Sequence, residues 1–263
     1  FGMWFSAYAE TLIDDITMLN AALKIVDQNP LGSAAGYGSS FPINRTFTTK
    51  ELGFNTLKYN SVAAQMSRGK SEKTVAFAMS SVAATLAKFS MDVCLYMSQN
   101  FDFITLPAHL TTGSSIMPHK KNPDVFELIR GKCNKIQALP YEITLITNNL
   151  PSGYHRDFQL LKEGLFPAIQ NLKACLDIAI FSIKDIKVKD NILVDKKYDY
   201  LFTVDTLNEM VVAGMSFRDA YKAVAEQLEN GTFQSPKETK HTHEGSINNL
   251  CLNEIKQKMQ NAY

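Results

Sequence analysis

One short segment of the chain concentrates side chains that could hold a substrate bearing carboxylates. Residues 113–124 read GSSIMPHKKNPD and place two hydroxyls, two ammonium groups and one amide close together. Ammonium groups, amide donors and the free N–H groups of a helix N-terminus all bind anions. Pro123 followed by Asp124 is typical of such a helix start. By chemistry alone, a solvated loop with incidental lysines explains the same residues equally well.

The other candidate sites are weak. His241 and His243 lie two positions apart in a polar stretch with no third ligand nearby, so we interpret them as part of a solvated loop and not as a metal site. The glycine-rich stretch 32–40 matches neither a dinucleotide fingerprint nor a P-loop. The four cysteines form no CxxC pair, which argues against a disulfide framework or a thiolate zinc site and is typical of a cytoplasmic protein.

The composition is that of a globular protein without a strong charge bias. The 263 residues include 27 Lys and Arg against 26 Asp and Glu, a net charge of +1, which gives no reason to expect nucleic acid or an anionic membrane as the main partner. The chain opens FGMWFSAYAE without an initiating Met, inside an apolar helical stripe, and no basic segment precedes that stripe. We therefore expect a fragment of a longer protein, and we interpret its opening apolar stripe as a helix and not as a signal peptide.

Apolar periodicity predicts an all-α fold. We expect a first helix from near Phe1 to about Val26, a second over roughly 71–99, a third after Pro123 and a fourth after the loop PSGYHRD. From about residue 186 the pattern changes to short amphipathic helices. The sequence therefore predicts a central helical-bundle domain over residues 1–185, incomplete at its N-terminus, and a small C-terminal helical domain over residues 186–263. Within the second domain, Gly214 and Ser216 predict the end of one helix and the N-cap of the next, with Asp219 at its third position.

The second helix is apolar or small on nearly every side. A helix of this kind must be buried on every side, and at roughly 40 Å it is about as long as a domain of this size is wide. Lys88 and Asp92 interrupt the apolar stretch, which argues against a membrane span. Because one chain cannot easily surround such a helix, we predict that a bundle of long helices is completed by oligomerisation.

Four stretches of the sequence resemble the fumarase/aspartase superfamily. The loop GSSIMPHKKNPD resembles the signature GSSxMPxKxNP, and the following ELIRGK is similar to the argininosuccinate lyase branch in particular. NPLGSAAGYGSSFPINR resembles PLGxxAxxGTxxPIxR, and GYHRDFQLLKE resembles YNKDLQEDKE. YLFTVDTLNEMVVAGMSFRDAY resembles the C-terminal domain pattern ATDLADYLVxxGxxFRxAH. The resemblance covers nearly the whole chain and implies an all-α homotetramer whose active sites are shared between subunits, without metal or organic cofactor.

The resemblance also implies a reaction: the cleavage of argininosuccinate to arginine and fumarate by anti β-elimination. Removal of a proton next to a carboxylate gives a carbanion whose charge spreads into that carboxylate, so donors and positive charge must already be in place. By resemblance, Ser114 is the catalytic base, acting as an alkoxide, and Glu127 orients the general-acid histidine. Chemistry alone would allow Ser115 as the base. The matching substrate-binding positions are Lys120, Asn122, Tyr154, Gln159 and Lys162.

The chain departs from the family pattern in two ways. His155-Arg156 stands where the family usually has Asn-Lys, so no role is carried over to either residue. The THxQ motif that holds the family's acid histidine is absent from these 263 residues, and we expect it to precede Phe1, so that the chain alone is inactive. Two alternatives stay open: a sister lyase that releases fumarate from another adduct, and a non-enzymatic, crystallin-like helical scaffold.

Overall fold

The computed structural model describes residues 1–263 and confirms the all-α prediction. The only strands are four two-residue segments, Gln28–Asn29 (β1), Thr56–Leu57 (β2), Ile104–Thr105 (β3) and Lys187–Val188 (β4), and β1 pairs in parallel with β2. The eight α-helices are α1 (Gly2–Val26), α2 (Arg45–Glu51), α3 (Ser61–Met97), α4 (Asp124–Ile146), α5 (Leu161–Ile183), α6 (Thr203–Val212), α7 (Phe217–Glu229) and α8 (Leu252–Ala262).

The chain folds as two compact units. One contains residues 1–7 and 188–256, and the other contains residues 8–187 and 257–263. The assignment of domains to residues 1–185 and 186–263 concerns independent folding and stays a prediction.

The larger unit is built around α3, α4 and α5, which pack on one another. Its core contains Val93 of α3 and Phe126 of α4, which are fully buried. The rings of Phe89 and Phe126 meet edge to face at 6.0 Å between centroids. Helix α1 is joined to α3 by polar contacts: the Tyr8 hydroxyl donates to Asp92 Oδ2 at 2.6 Å. These contacts hold the long helices side by side and fix the positions at which their connecting loops leave the bundle.

Helix α3 begins earlier than the pattern predicts and contains a kink. It starts at Ser61, where the Asn60 side chain caps it by accepting a hydrogen bond from the Ala63 amide at 2.9 Å. Arg68 (φ −64°, ψ 136°) and Gly69 (φ 79°, ψ −42°) then leave the helical conformation. The predicted start near residue 71 therefore marks the regular stretch after the kink. The prediction missed the preceding turns because their apolar periodicity is weak.

Burial along α3 is unequal around its axis. Ala76, Ala83 and Val93 are fully buried, whereas the side chains of Phe77 and Met91 are 54% and 45% exposed. Two segments, Ser61–Met97 and Arg156–Ile183, are long and apolar enough to cross a membrane by length and composition. Of the most apolar window of α3, 56% is already buried inside the protein, as in the core helix of a globular protein. What covers the exposed face stays a prediction.

The smaller unit has its own apolar cluster between α6 and α7. Leu207, Ala220 and Val224 form its buried centre. The predicted break between the two helices is confirmed: Gly214 has φ 103°, and the Ser216 hydroxyl oxygen accepts a hydrogen bond from the backbone N–H three residues later at 3.2 Å. A positive φ favours glycine, which has no Cβ to clash.

Candidate active site

The segment GSSIMPHKKNPD forms a loop that is closed at its base. Thr112 and Asn122 form an antiparallel bridge in which the Thr112 amide donates to the Asn122 carbonyl at 3.1 Å and the Asn122 amide donates to the Thr112 carbonyl at 2.8 Å. The Thr112 hydroxyl also donates to the Asp124 carboxylate. The bridge fixes both ends of the loop 113–121, while most side chains between them are exposed.

Ser114 has backbone donors directed at its side-chain oxygen. The hydroxyl oxygen accepts hydrogen bonds from the backbone amides of Ile116 at 3.2 Å and Met117 at 3.1 Å. Hydrogen bonds to the charged form of a group favour that form, so these two amides would stabilise an alkoxide more than a hydroxyl. No comparable pair of bonds is seen at Ser115, which is exposed. Of the two hydroxyls in the loop, the geometry favours Ser114 as a base.

Helix α4 begins directly after the loop. Asp124 and Glu127 lie in its first turn, where negative side chains are favoured by the helix dipole. Pro123 has no side-chain hydrogen bond to offer as an N-cap, and its carbonyl accepts from the amides of Phe126 at 2.9 Å and Glu127 at 3.1 Å. The buried Phe126 ring anchors this turn in the core. Asn122 and Glu127 are thereby held on either side of a rigid helix start.

Three of the predicted site residues share one cavity of about 860 Å³. Lys120 and Asn122 of the loop line it together with Glu127 of α4, opposite the C-terminal end of α3. His119 and Lys121 also line the cavity, and the sequence argument gave neither of them a role. Their position within the loop was the available signal, but only positions that match the family motif were carried over. With Gln99 and Asp102, which also line it, the cavity presents two ammonium groups, one imidazole, two side-chain amides and two carboxylates.

Cys94 contributes the one thiol in the wall of this cavity. Burial raises the pKa of the Cys94 thiol above its ordinary value, the nearby Glu127 carboxylate raises it further, and the Arg130 guanidinium opposes both. The thiol is therefore protonated at neutral pH and does not compete as a base.

Tyr154 and Gln159 form a second cluster. The Gln159 side-chain amide donates to the Tyr154 hydroxyl at 2.9 Å, and both side chains are exposed. Phe158 is buried and anchors the short 3₁₀ turn Arg156–Gln159. Lys162, one turn further along, is exposed in the first turn of α5. Neither these three predicted residues nor Ser114 line the cavity beside the loop, which holds only Lys120, Asn122 and Glu127 of the predicted site residues.

The glycine-rich stretch is held by a buried amide and a single arginine. Asn29 is fully buried, and its side-chain oxygen accepts from the Leu31 amide at 3.0 Å. Arg45 donates to the carbonyls of Leu31 at 2.8 Å, Lys58 at 2.8 Å and Tyr59 at 2.9 Å. Arg45, which ends the stretch, therefore has a structural role in the connection between α1 and α3.

Comparison with known proteins identifies the family. A family model described as Lyase matches residues 1–138, just over half of the chain. The chain belongs to the Lyase family. Within this family, the chain is 58% identical over 262 residues to a protein named argininosuccinate lyase from Parabacteroides distasonis. The matched region covers 100% of this chain and 59% of that relative. The chain thus spans less than two thirds of the length of this relative.

Solved structures show the same fold at low identity. An EDDS lyase in complex with formate superposes with a TM-score of 0.80 at 19% identity, over 99% of this chain and 59% of that one. A class II fumarase from Schistosoma mansoni superposes with a TM-score of 0.70 at 17% identity, over 98% of this chain and 57% of that one. The resemblance of the sequence to the argininosuccinate lyase branch, and the fumarase-superfamily fold it implied, are confirmed.

Proposed function

We propose that the protein containing this chain is an argininosuccinate lyase, a carbon–nitrogen lyase that cleaves argininosuccinate to arginine and fumarate by anti β-elimination. The substrate is inferred from the identity of 58% over the whole chain to a protein of that name. The observation that supports the chemistry is the environment of Ser114, where two backbone amides donate to the side-chain oxygen. An alkoxide at this position could remove the carbon-bound proton.

The remaining residues act at two places on the substrate: some stabilise its carboxylate, and others assist departure of the leaving group or bind the substrate. Lys120 and Asn122 supply an ammonium group and an amide beside a cavity, as is needed to stabilise a carboxylate that gains charge when the proton leaves. The carbon–nitrogen bond then breaks, and the leaving guanidinium nitrogen takes a proton from a general acid. In this proposal the acid is a histidine outside these 263 residues, and Glu127 orients it. Tyr154, Gln159 and Lys162 bind substrate at a second edge of the site.

The absence of Tyr154, Gln159 and Lys162 from the cavity wall agrees with an active site shared between subunits. Large apolar side chains are exposed on the long helices, among them Phe77, Leu128 and Phe166, at 54%, 65% and 57%. Complete burial of a fully exposed side chain of this size contributes about 1.5–3 kcal/mol, so these half-exposed side chains would each contribute roughly half of that to an assembly. We propose that a homotetramer covers these faces and brings the 113–124 loop of one subunit to the Tyr154 cluster of another. We also propose that the enzyme is cytoplasmic and uses neither a metal nor an organic cofactor.

The test uses the full-length protein and follows fumarate by its ultraviolet absorbance. Ser114→Ala should lower kcat by about 10²–10⁴-fold with little change in KM, because the base acts in the transition state. Ser115→Ala is the matched control, since it removes a neighbouring hydroxyl that receives no such pair of amide bonds. Near-normal kcat in Ser114→Ala together with a large loss in Ser115→Ala would transfer the role of base to Ser115.

The same assay separates the alternatives. Fumarate released from another succinyl adduct but not from argininosuccinate would indicate a sister lyase. Absence of turnover with every adduct in a correctly folded, assembled protein would indicate a helical scaffold.

A further inference from the structure

The kink in α3 is stabilised by a side chain of the same helix. At the kink, the Gly69 amide donates to Glu72 Oε2 at 2.6 Å. A helical amide would instead donate to a carbonyl four residues earlier. Gly69 has φ 79°, where L side chains are strained. Because the kink removes the usual helical carbonyl acceptor, the Glu72 carboxylate accepts the hydrogen bond of the Gly69 amide instead. The kink therefore has specific stabilising contacts and is not a frayed helical turn.

Arg68 connects this kink to the turn that carries Gln159. Its Nε donates to Glu72 Oε1 at 3.0 Å, and its Nη2 donates to the Phe158 carbonyl at 3.2 Å. The guanidinium carbon lies 5.9 Å from the centroid of the Phe158 ring. A planar guanidinium can make these contacts together because its donors point in fixed, divergent directions.

Gly69 also allows the kink of α3, the end of α4 and the 3₁₀ turn to approach one another closely. A Cβ added at this position would lie 2.5 Å from Thr147 Cγ2, at the end of α4, and 3.4 Å from the Phe158 ring. The kink therefore packs at once against the end of α4 and against the 3₁₀ turn. The buried Phe158 ring anchors the 3₁₀ turn in the core. The hydrogen bond from Arg68 to the Phe158 carbonyl holds the backbone of the same turn.

We infer that Arg68, held by Glu72, is a positioning residue for the substrate-binding cluster of Tyr154 and Gln159. Arg68 fixes the carbonyl of the residue directly before Gln159, and Gln159 in turn donates to the Tyr154 hydroxyl at 2.9 Å. A turn fixed in this way presents both polar side chains in one geometry before substrate arrives, which lowers the cost of ordering them on binding. The inference rests on the proposed function for the identity of the substrate, but not for the geometry of the turn.

The experiment compares three variants of the full-length protein. Arg68→Gln removes the charge and the divergent donors, and Arg68→Lys keeps the charge but not the geometry. Lys70→Gln removes a neighbouring, exposed positive charge that makes no bond to the turn. Displacement of a binding group by a distant substitution can cost up to about 10²-fold in rate. We expect kcat/KM for argininosuccinate to fall by about 10–100-fold in Arg68→Gln, mainly through KM, with partial recovery in Arg68→Lys and no change in Lys70→Gln.

Amide hydrogen exchange gives a readout that does not depend on activity. Peptides covering residues 150–162 should exchange faster in Arg68→Gln than in Lys70→Gln, while peptides from the centre of α4 stay protected. A uniform rise in exchange over the whole chain would show a general loss of stability and would overturn the positioning role, as would unchanged exchange in residues 150–162. If the parent protein does not cleave argininosuccinate, the proposed function fails, and the exchange data alone decide the role of Arg68.

Discussion

Gly69→Ala should destabilise the larger unit through two separable effects. The first is backbone strain, because φ is 79° at this position; a left-handed conformation costs an L residue about 1–2 kcal/mol. Alanine also lowers the conformational entropy of the unfolded chain relative to glycine, which offsets this strain by about 0.4–1 kcal/mol. The second is steric, since the new Cβ would lie 2.5 Å from Thr147 Cγ2, and overpacking costs about 1–3 kcal/mol. The free energy of unfolding should therefore fall by about 1–5 kcal/mol.

The chain offers controls for both effects. Gly53 has φ 73° and nothing within 4 Å of an added Cβ, so Gly53→Ala should pay the backbone cost alone, about 1 kcal/mol or less. Thr147→Ser removes the clashing methyl and keeps the hydroxyl that donates to the Ile143 carbonyl at 2.8 Å. In the Gly69→Ala background it should therefore restore much of the steric loss.

The assay is urea unfolding followed by circular dichroism at one fixed protein concentration, so that assembly contributes equally to every variant. Equal losses of free energy in Gly69→Ala and Gly53→Ala would refute the close approach of Thr147. A Thr147→Ser substitution that rescues nothing would refute the assignment of the clash to its methyl group.

Three further predictions concern the reactivity of the thiols, the pH dependence of stability and the sharing of active sites. Burial first, and then the neighbouring Cys175 thiol, raise the pKa of the fully buried Cys133 to about 12, so at about pH 8 iodoacetamide should alkylate the half-buried Cys251 well before Cys133. Because the folded pKa is raised, stability from the neutral thiol is present below about pH 9 and lost as pH rises toward 12, and the pH dependence of the urea midpoint should weaken in Cys133→Ala. This chain alone should release no fumarate, whereas its mixture with full-length Ser114→Ala chains should recover part of the activity; no recovery despite confirmed co-assembly would contradict shared sites.

The sequence predicted the elements well wherever local rules decide them. Helix α4 begins after Pro123 as expected from the helix-start pattern, and Ser216 caps α7 as predicted. The kink at Gly69 was missed although one of its partners is local: Glu72, the acceptor of the Gly69 amide, lies only three residues further along. Its other partner, Thr147, is distant in sequence and lies within 2.5 Å of a Cβ added at Gly69. Periodicity describes one helix at a time and contains no information about contacts between elements.

The candidate site was predictable in type but not in arrangement. The motif identified Lys120, Asn122 and Glu127, and the structure places all three beside one cavity. Matching to the motif could not assign His119 and Lys121, because the motif leaves those positions unspecified; only the chemistry of the loop pointed to the Lys121 ammonium group. Nor could it find Arg68, whose contact with the Phe158 carbonyl joins residues 90 positions apart in the chain.

The geometry at Ser114 bears on how a serine could serve as a base at all. A hydroxyl is a poor base unless its ionised form is stabilised. A charged side chain brought into a site for that purpose would lose hydration free energy. Here the loop supplies it from its own backbone: the amides of Ile116 and Met117 point at the oxygen before any substrate is bound. The Thr112–Asn122 bridge holds the two ends of the loop together. Such preorganised dipoles need no rearrangement when charge develops. Closure of the loop over substrate would then have to exclude water and bring the base to its proton, but would not have to build the site that stabilises the alkoxide.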